Sequence, residues 1–115
     1  MDFLTDVTTS GLERALQGIS AQQQATAANI SNAQTPGYRA QRVNFEDSLA
    51  AAMNSGDPKG SSIDTVDAGT PANITGNTVQ LDAEVTDLQK EGLQYQAVAQ
   101  AISFKYSLLR TAIGS

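Results

Sequence analysis

The chain has 115 residues, a net charge of −5 at pH 7 and an isoelectric point near 4.4, and it contains neither cysteine nor histidine. This acidic balance argues against a nucleic-acid backbone or an anionic membrane surface as the main partner, because phosphate binding requires a basic footprint. Without cysteine and histidine the chain lacks disulfides, the commonest general base and the commonest metal ligand. Its length predicts one small domain, residues 1–115.

The chain begins MDFLTDV, with acidic residues where a signal peptide would have a basic segment followed by an apolar run. No apolar stretch approaches the roughly 20 residues needed to span a bilayer. We therefore expect a soluble chain with no cleavable signal peptide and no transmembrane segment. If it leaves the cytoplasm, we expect a route that needs no such signal.

A first helix is predicted over about residues 10–32. Ser10-Gly11-Leu12-Glu13 fits a capping box, in which Ser10 caps the helix and Glu13 reaches back to its start. One face then repeats at alternating steps of four and three residues, which is the period of a helix. Its members are Leu12, Leu16, Ile19, Gln23, Thr26 and Ile30. We expect its apolar members to form one side of a helix-packing seam.

The sequence Thr35-Pro36-Gly37-Tyr38 predicts a turn that stops this helix. We expect the helix to end near Asn32, because asparagine tolerates the left-handed position after a helix and Pro36 cannot continue the hydrogen bonds. The proline also restricts Thr35 to extended geometry. Gly37 can supply the positive φ of a type II turn.

The middle segment, residues 33–79, is predicted to be irregular. It contains all three prolines and five of the nine glycines, and these residue types interrupt regular structure. Ile63, Val66 and Ile74 could form short strands, but their pattern is weak. A loop that is flexible or ordered only by contact is the favoured interpretation.

The second helix, about residues 80–113, carries the strongest pattern in the sequence. Its apolar stripe follows the four–three rhythm without a break, as in a coiled coil. Acidic residues lie in its first half and basic residues near its end, which suits the helix dipole. The stripe, which we expect to form the other side of the seam, consists of Leu81, Val85, Leu88, Gly92, Tyr95, Ala99, Ile102, Tyr106, Leu109 and Ile113.

These elements predict a mainly α fold: two long terminal helices packed as an antiparallel coiled-coil hairpin, joined by an irregular or short-β middle segment. Gly92, and Gly18 in the first helix, are expected to permit close approach of another helix. Apolar residues off the stripe cannot all be covered by one partner helix. They are Leu93, Val98, Phe104 and Leu108. We expect the isolated hairpin to be marginally stable and other subunits to cover this second face.

No motif predicts catalysis or ligand binding. Glu46 and Asp47 are expected to be a solvated surface pair, and the aspartates of the middle segment lack the spacing of a calcium loop. We therefore predict no enzyme activity, no catalytic residue, no cofactor, no metal and no small-molecule substrate. Arg39 and Arg42 either pair with acids of a neighbouring subunit or remain solvated.

The stretch ANISNAQTPGYRAQRVNF, residues 28–45, resembles the N-terminal motif of bacterial flagellar rod and hook proteins. Its motif positions are Asn29, Asn32, Thr35, Pro36, Gly37, Tyr38 and Phe45. The C-terminal part resembles the long helix of the proximal rod proteins in particular. The matching features are Gly76-Asn77-x-Val79 before the helix and Glu84, Tyr95-Gln96, Lys105 and Ala112-Ile113 within it. Glu91 departs from the pattern, since many relatives have asparagine there.

The resemblance to the flagellar basal-body rod protein family implies a structural subunit of the proximal rod. Such a subunit passes through the type III export channel, assembles helically through its terminal helices and transmits torque from the membrane ring to the distal rod and hook. The implied partners are copies of itself, other rod subunits, and membrane-ring or export-gate components at the rod base. The implied location is the basal body in the cell envelope.

Two alternatives remain open. The chain could be a neighbouring rod protein of the same family, although the intact Thr-Pro-Gly-Tyr and Gly-Asn-x-Val elements fit the first assignment better. From another class, it could be a soluble helical adaptor or export chaperone of a secretion apparatus. That alternative predicts a stable helical monomer or dimer in dilute solution, whereas a rod subunit should be poorly ordered alone.

Overall fold

The computed structural model describes residues 3–114 and has an elongated shape of 64 × 25 × 14 Å. Two long helices, α1 (Phe3–Ser31) and α3 (Leu81–Gly114), pack against each other. The segment between them contains a strand β1 (Gln41–Asn44), a helix α2 (Glu46–Asn54), a short 3-10 helix (Pro58–Gly60) and a strand β2 (Asp64–Asp67). The mainly helical fold is as predicted.

The two long helices run antiparallel. The Tyr106 hydroxyl near the end of α3 donates to the Glu13 carboxylate near the start of α1, at 2.9 Å. The Thr26 hydroxyl near the end of α1 donates to the Glu91 carboxylate in the first half of α3, at 3.1 Å. None of the helices within residues 3–114 combines the length and apolar character needed to cross a membrane.

The predicted start of the first helix was wrong. α1 begins at Phe3, so Ser10 and Glu13 lie inside the helix and do not cap its N-terminus. The residues before Ser10 include no proline or glycine that would prevent a helix. Asp6 also lies in the first turn, where a negative charge interacts favourably with the helix dipole.

The middle segment is more regular than predicted. β1 and β2 form a two-stranded antiparallel sheet in which Gln41 lies opposite Asp67 and Asn44 opposite Asp64. Helix α2 was not predicted, although it has acidic residues in its first turn and alanines in its body, both of which favour a helix. Ile74, considered for a strand, lies fully exposed outside the sheet.

The hydrophobic core lies between α1 and the middle segment. Among the described residues its buried apolar side chains are Ile19, Ala40, Val43 and Phe45. Val98 is the α3 side chain that packs against this cluster. A Cβ atom placed on Gly18 would lie only 2.5 Å from the Phe45 ring. The notch at Gly18 therefore accommodates Phe45 and not a second helix, because the aromatic ring from the middle segment reaches it first.

α3 does not bury its apolar stripe within the chain. It turns Glu91 and Val98 towards α1 and the core, so that the stripe lies to one side of the contact. Half-buried stripe residues are Leu88, Gly92, Ala99, Ile102 and Leu109, and exposed ones are Leu81, Val85, Tyr95, Tyr106 and Ile113. On α1, Ile19 is buried while Leu12, Leu16 and Ile30 are half-buried. No described atom comes within 4 Å of a Cβ placed on Gly92, so no close approach occurs there within the chain.

Candidate functional site

The turn after α1 has the geometry expected of a type II turn. The Tyr38 N–H donates to the Thr35 carbonyl at 3.2 Å, with Pro36 and Gly37 at the two central positions. Gly37 has a φ of +74°, which a residue with a side chain rarely adopts. The features that the sequence predicted for this turn are therefore present.

The end of α1 differs in detail from the prediction. No residue other than glycine has a positive φ within residues 3–114, so Asn32 does not adopt the left-handed conformation. Its backbone N–H still donates to the Ala28 carbonyl at 3.0 Å, and its side-chain amide donates to that carbonyl at 2.8 Å. Its side-chain oxygen accepts from the Thr35 hydroxyl at 3.1 Å. Asn32 thus joins the last turn of α1 to the following turn through its side chain.

Asn29 attaches the start of β1 to α1. It is 1% exposed, its amide donates to the Gln41 carbonyl at 2.8 Å, and its side-chain oxygen accepts from the Gln41 N–H at 2.9 Å. The same oxygen accepts from the Tyr38 hydroxyl at 3.4 Å. A carboxamide can supply both a donor and an acceptor in this way, whereas a carboxylate cannot donate. Asn29 therefore determines where the chain leaves the turn.

Residues 73–79, which we call the clamp, hold the turn from the other side. Asn77 is 2% exposed, and its side-chain amide donates to the Asn32 carbonyl at 2.9 Å and to the Thr35 carbonyl at 2.8 Å. Its side-chain oxygen accepts from the Val79 N–H at 2.7 Å. The carbonyls at a helix end have no partners within the helix. Asn77 satisfies carbonyls just beyond α1 while ordering the residues that lead into α3.

Backbone hydrogen bonds and Thr78 complete the contact between the clamp and the turn. The Gly37 N–H donates to the Thr75 carbonyl at 2.9 Å, and the Thr78 N–H donates to the Tyr38 carbonyl at 3.0 Å. The Thr78 hydroxyl, which is buried, accepts from the Ala40 N–H at 2.7 Å. The clamp therefore contacts the chain on both sides of the Gly37 position.

Asn73 organises the clamp itself. Its side-chain oxygen accepts from the backbone N–H groups of Thr75, at 2.9 Å, and Asn77, at 3.1 Å. Gly76 has a φ of +81°, and its N–H donates to the Asn73 carbonyl at 3.0 Å. Asparagine and glycine favour such turns for these reasons. The Asn-x-x-Gly-Asn spacing, for which the sequence predicted no turn, favours one locally, but such a spacing does not identify what the clamp contacts.

The predicted motif residues divide between two places. Asn29, Asn32 and Thr35–Tyr38 gather at the turn, where the clamp contacts Asn32, Thr35, Gly37 and Tyr38. Phe45 is 5% exposed and lies in the core with Ile19 and Val43. It packs into the notch of Gly18 on α1. The motif therefore combines a hydrogen-bonded turn with an apolar anchor that holds the following strand against α1.

Arg39 forms an ion pair within the chain, with its Nε 2.6 Å from an Asp67 carboxylate oxygen. This hydrogen bond lowers the pKa of the Asp67 carboxyl and raises the pKa of Arg39. Both side chains are largely exposed, so the pair contributes little to stability. The pair answers one question that the sequence left open, because Arg39 binds its own chain across the β1–β2 sheet.

The turn and the clamp have the hydrogen bonding of a structural element. The described residues include no group of acidic side chains that could hold a metal ion. The polar side chains of the turn and the clamp donate to, or accept from, the chain's own backbone. Such an arrangement fixes the path of the chain between α1 and α3.

Comparisons with known proteins agree with the motif. A sequence model of the family described as "Flagella basal body rod protein" matches residues 12–39. The chain is 31% identical over 112 residues to the flagellar basal body rod protein FlgB of Escherichia coli (strain K12), covering 79% of this chain and 81% of that protein. It is 27% identical over 119 residues to FlgB of Bacillus subtilis (strain 168), covering 92% of each. FlgB of Cereibacter sphaeroides is 31% identical over 98 residues, covering 74% of this chain and 77% of that protein.

The identity to the Escherichia coli protein extends over most of both chains, and the family match includes most of α1 and the turn that the clamp holds. The chain therefore belongs to the FlgB family of flagellar basal body rod proteins, which are structural subunits.

Proposed function

We propose that this chain is a structural subunit of the proximal rod of the bacterial flagellar basal body. It assembles helically with copies of itself and with other rod subunits through its terminal helices, and it transmits torque from the membrane ring to the distal rod and hook. At the rod base it contacts membrane-ring or export-gate components. It reaches the cell envelope through the type III export channel.

The observation that carries this proposal is the apolar surface of α3. Large apolar side chains that lie exposed along the helix include Leu93, at 70% exposure, Phe104, at 64%, and Ile113, at 81%. Exposed apolar surface of this kind is typical of interaction sites. The adaptor alternative predicts a helical chain that is stable alone in dilute solution, whereas apolar exposure along this length of α3 favours a subunit that is covered by neighbours.

In the assembled rod we expect the predicted seam to extend between subunits. Stripe residues that the single chain leaves exposed, such as Leu81, Val85 and Tyr106, become buried against helices of adjacent subunits. The turn and the clamp serve a different purpose, since they set the direction in which the chain leaves α1. The whole chain, residues 1–115, acts as one rod-subunit domain.

Deleting the gene in its own bacterium tests the proposal. We expect non-motile cells whose envelopes keep a membrane ring but lack rod, hook and filament in electron micrographs. A plasmid copy of the wild-type gene should restore motility and serves as the control. Cells with normal flagella after the deletion would remove the rod assignment and favour the adaptor.

A further inference from the structure

Glu91 is a buried acidic residue at the contact between α1 and α3. Its side chain is 9% exposed, and one carboxylate oxygen accepts from the Thr26 hydroxyl at 3.1 Å. The other oxygen, Oε1, is buried and has no hydrogen-bond partner among the described residues. An ionised carboxylate can accept several hydrogen bonds. Within the part of the chain that the structure describes, the two carboxylate oxygens of Glu91 share one donor, the Thr26 hydroxyl.

The charged groups near Glu91 do not compensate for its burial. On α3, the like charges of Asp87 and Glu84 disfavour ionisation of Glu91, and Lys90 opposes them with a smaller effect. The polar residues of α1 that line the neighbouring cavity of about 430 Å³ are the uncharged Gln22 and Thr26. Arg42 of β1 and Glu46 of α2 also line this cavity, and they carry opposite charges.

Burial is the main reason that the pKa of Glu91 lies above its ordinary value, because taking a carboxylate out of water disfavours the charged form. Glu84, half-buried one heptad earlier, has a raised pKa for the same main reason. A carboxyl group that is easier to protonate in the folded chain than in the unfolded chain links folding to pH.

We propose that Glu91 makes the pairing of α1 and α3 pH-sensitive, so that the two helices hold together more strongly when its carboxyl group is protonated than when it is ionised. The protonated group buries no charge and still accepts from Thr26. The ionised group places a charge in the contact with one of its oxygens unpaired.

The direction of the effect follows from proton binding. In the window between the unfolded value of 4.5 and the raised folded pKa, the folded chain binds more protons than the unfolded chain. The stabilisation is fully present below this window and is lost as the pH rises through it. The Arg39–Asp67 pair affects stability in a separate pH range. Because the pKa of Asp67 is lowered from 3.8, ionisation of Asp67 changes stability only under more acidic conditions.

The test compares Glu91→Gln with wild type in urea unfolding followed by far-ultraviolet circular dichroism, from pH 4 to pH 8. In the wild-type chain, one titrating group changes the folding equilibrium constant by up to about tenfold per pH unit inside the window. Glu91→Gln keeps the size of the side chain and an acceptor for Thr26 but cannot ionise. We expect it to fold more strongly than wild type at pH 7.5 and to depend less on pH.

Glu46→Gln is the matched control, because it removes one negative charge from the same cavity at an exposed position. It should follow the wild-type pH dependence, which separates burial of Glu91 from a general reduction of the net charge. If Glu91→Gln retains the wild-type slope, or is less stable than wild type at pH 7.5, the proposal is wrong.

Thr26→Val supplies an independent variant. It removes the one hydrogen bond that the Glu91 carboxylate accepts from a described side chain, while keeping the shape of a buried side chain. The ionised form loses its donor, so we expect Thr26→Val to destabilise the chain more at pH 8 than at pH 5. In the Glu91→Gln background this pH dependence should disappear, and equal losses at both pH values would contradict the proposal.

Discussion

The turn held by the clamp and the second half of α3 differ in the kind of side chain that they bury and expose. At the turn, the most deeply buried side chains are polar: Asn29, Asn77 and Thr78 are each at most 2% exposed, and each has hydrogen-bond partners. Along α3, Phe104 and Leu108 are apolar and yet 64% and 52% exposed. The turn completes its polar contacts within the chain, whereas the second half of α3 leaves much of its apolar surface exposed.

The contacts that define the path of the chain are therefore different from the contacts that supply most of its stability. Hydrogen bonds are directional but contribute only about 1 kcal/mol each on balance, so the clamp defines the path of the chain without a large gain in free energy. Burial of apolar surface supplies most of the stability of a protein. On the exposed face of α3, burial of that kind requires a neighbouring molecule, which suits a subunit that becomes rigid on assembly.

The largest effect on the chain by itself is expected from Phe45→Ala, which removes the anchor between the turn and α1. Phe45 is 5% exposed, and its ring occupies the notch at Gly18. We expect a loss of about 3–5 kcal/mol in the free energy of unfolding, typical of a buried phenylalanine, which is enough to unfold a chain that is marginally stable alone. Urea unfolding at pH 5, with the 70%-exposed Leu93→Ala as the control, measures it. Equal losses in both variants would show that the core does not stabilise the chain.

Asn77→Ala tests the polar contacts between the clamp and the turn. It leaves the Asn32 and Thr35 carbonyls and the Val79 N–H without the partners that the side chain supplies. We expect a loss of about 1–3 kcal/mol, because three hydrogen bonds are lost and the Val79 N–H keeps no side-chain acceptor, and faster amide hydrogen exchange at Val79. Asn54→Ala at the exposed end of α2 should change stability by less than about 0.5 kcal/mol. Unchanged exchange at Val79 would mean that Asn77 does not hold the clamp.

Phe104→Ser tests the exposed apolar surface of α3. The free energy of unfolding should change by less than about 0.5 kcal/mol, because the ring is 64% exposed and the two residues have similar helix propensities. Motility of cells carrying the variant should nevertheless fall sharply in soft agar, since a neighbouring subunit loses its contact. Gln100→Ser, another exposed α3 position, should leave motility intact. Full motility with Phe104→Ser would count against the α3 surface as an assembly contact.

The smallest effect is expected from Arg39→Gln. The ion pair with Asp67 is exposed, so the free energy of unfolding at pH 7 should not change measurably. The pKa of Asp67 should rise towards its ordinary value, which a carboxyl carbon titration by NMR can follow. Because the pKa of Asp67 is lowered in the folded chain, any stabilisation by this pair exists above pH 3.8 and is lost on acidification. A clear loss of stability at pH 7 would show that the pair does more than an exposed pair should.

The sequence by itself determined the two long helices, the turn between Thr35 and Tyr38, and the family. These features depend on local signals: periodic apolar residues, the missing N–H of Pro36 and the positive φ of Gly37 act within a few residues. Local propensity also favours helix α2. The prolines and glycines around it in the middle segment led to a prediction of irregular structure.

Only the tertiary structure decided what these elements touch. Asn77 donates to the carbonyl of Asn32, a residue 45 positions earlier, and no local pattern identifies such a partner. The notch at Gly18 is filled by Phe45 because the middle segment folds back over α1. The rotation of α3 that buries Glu91 and exposes Tyr95 follows from the packing of Val98 against that core. A heptad stripe shows which side chains share a helix face. The direction in which that face points depends on how the rest of the chain packs against the helix.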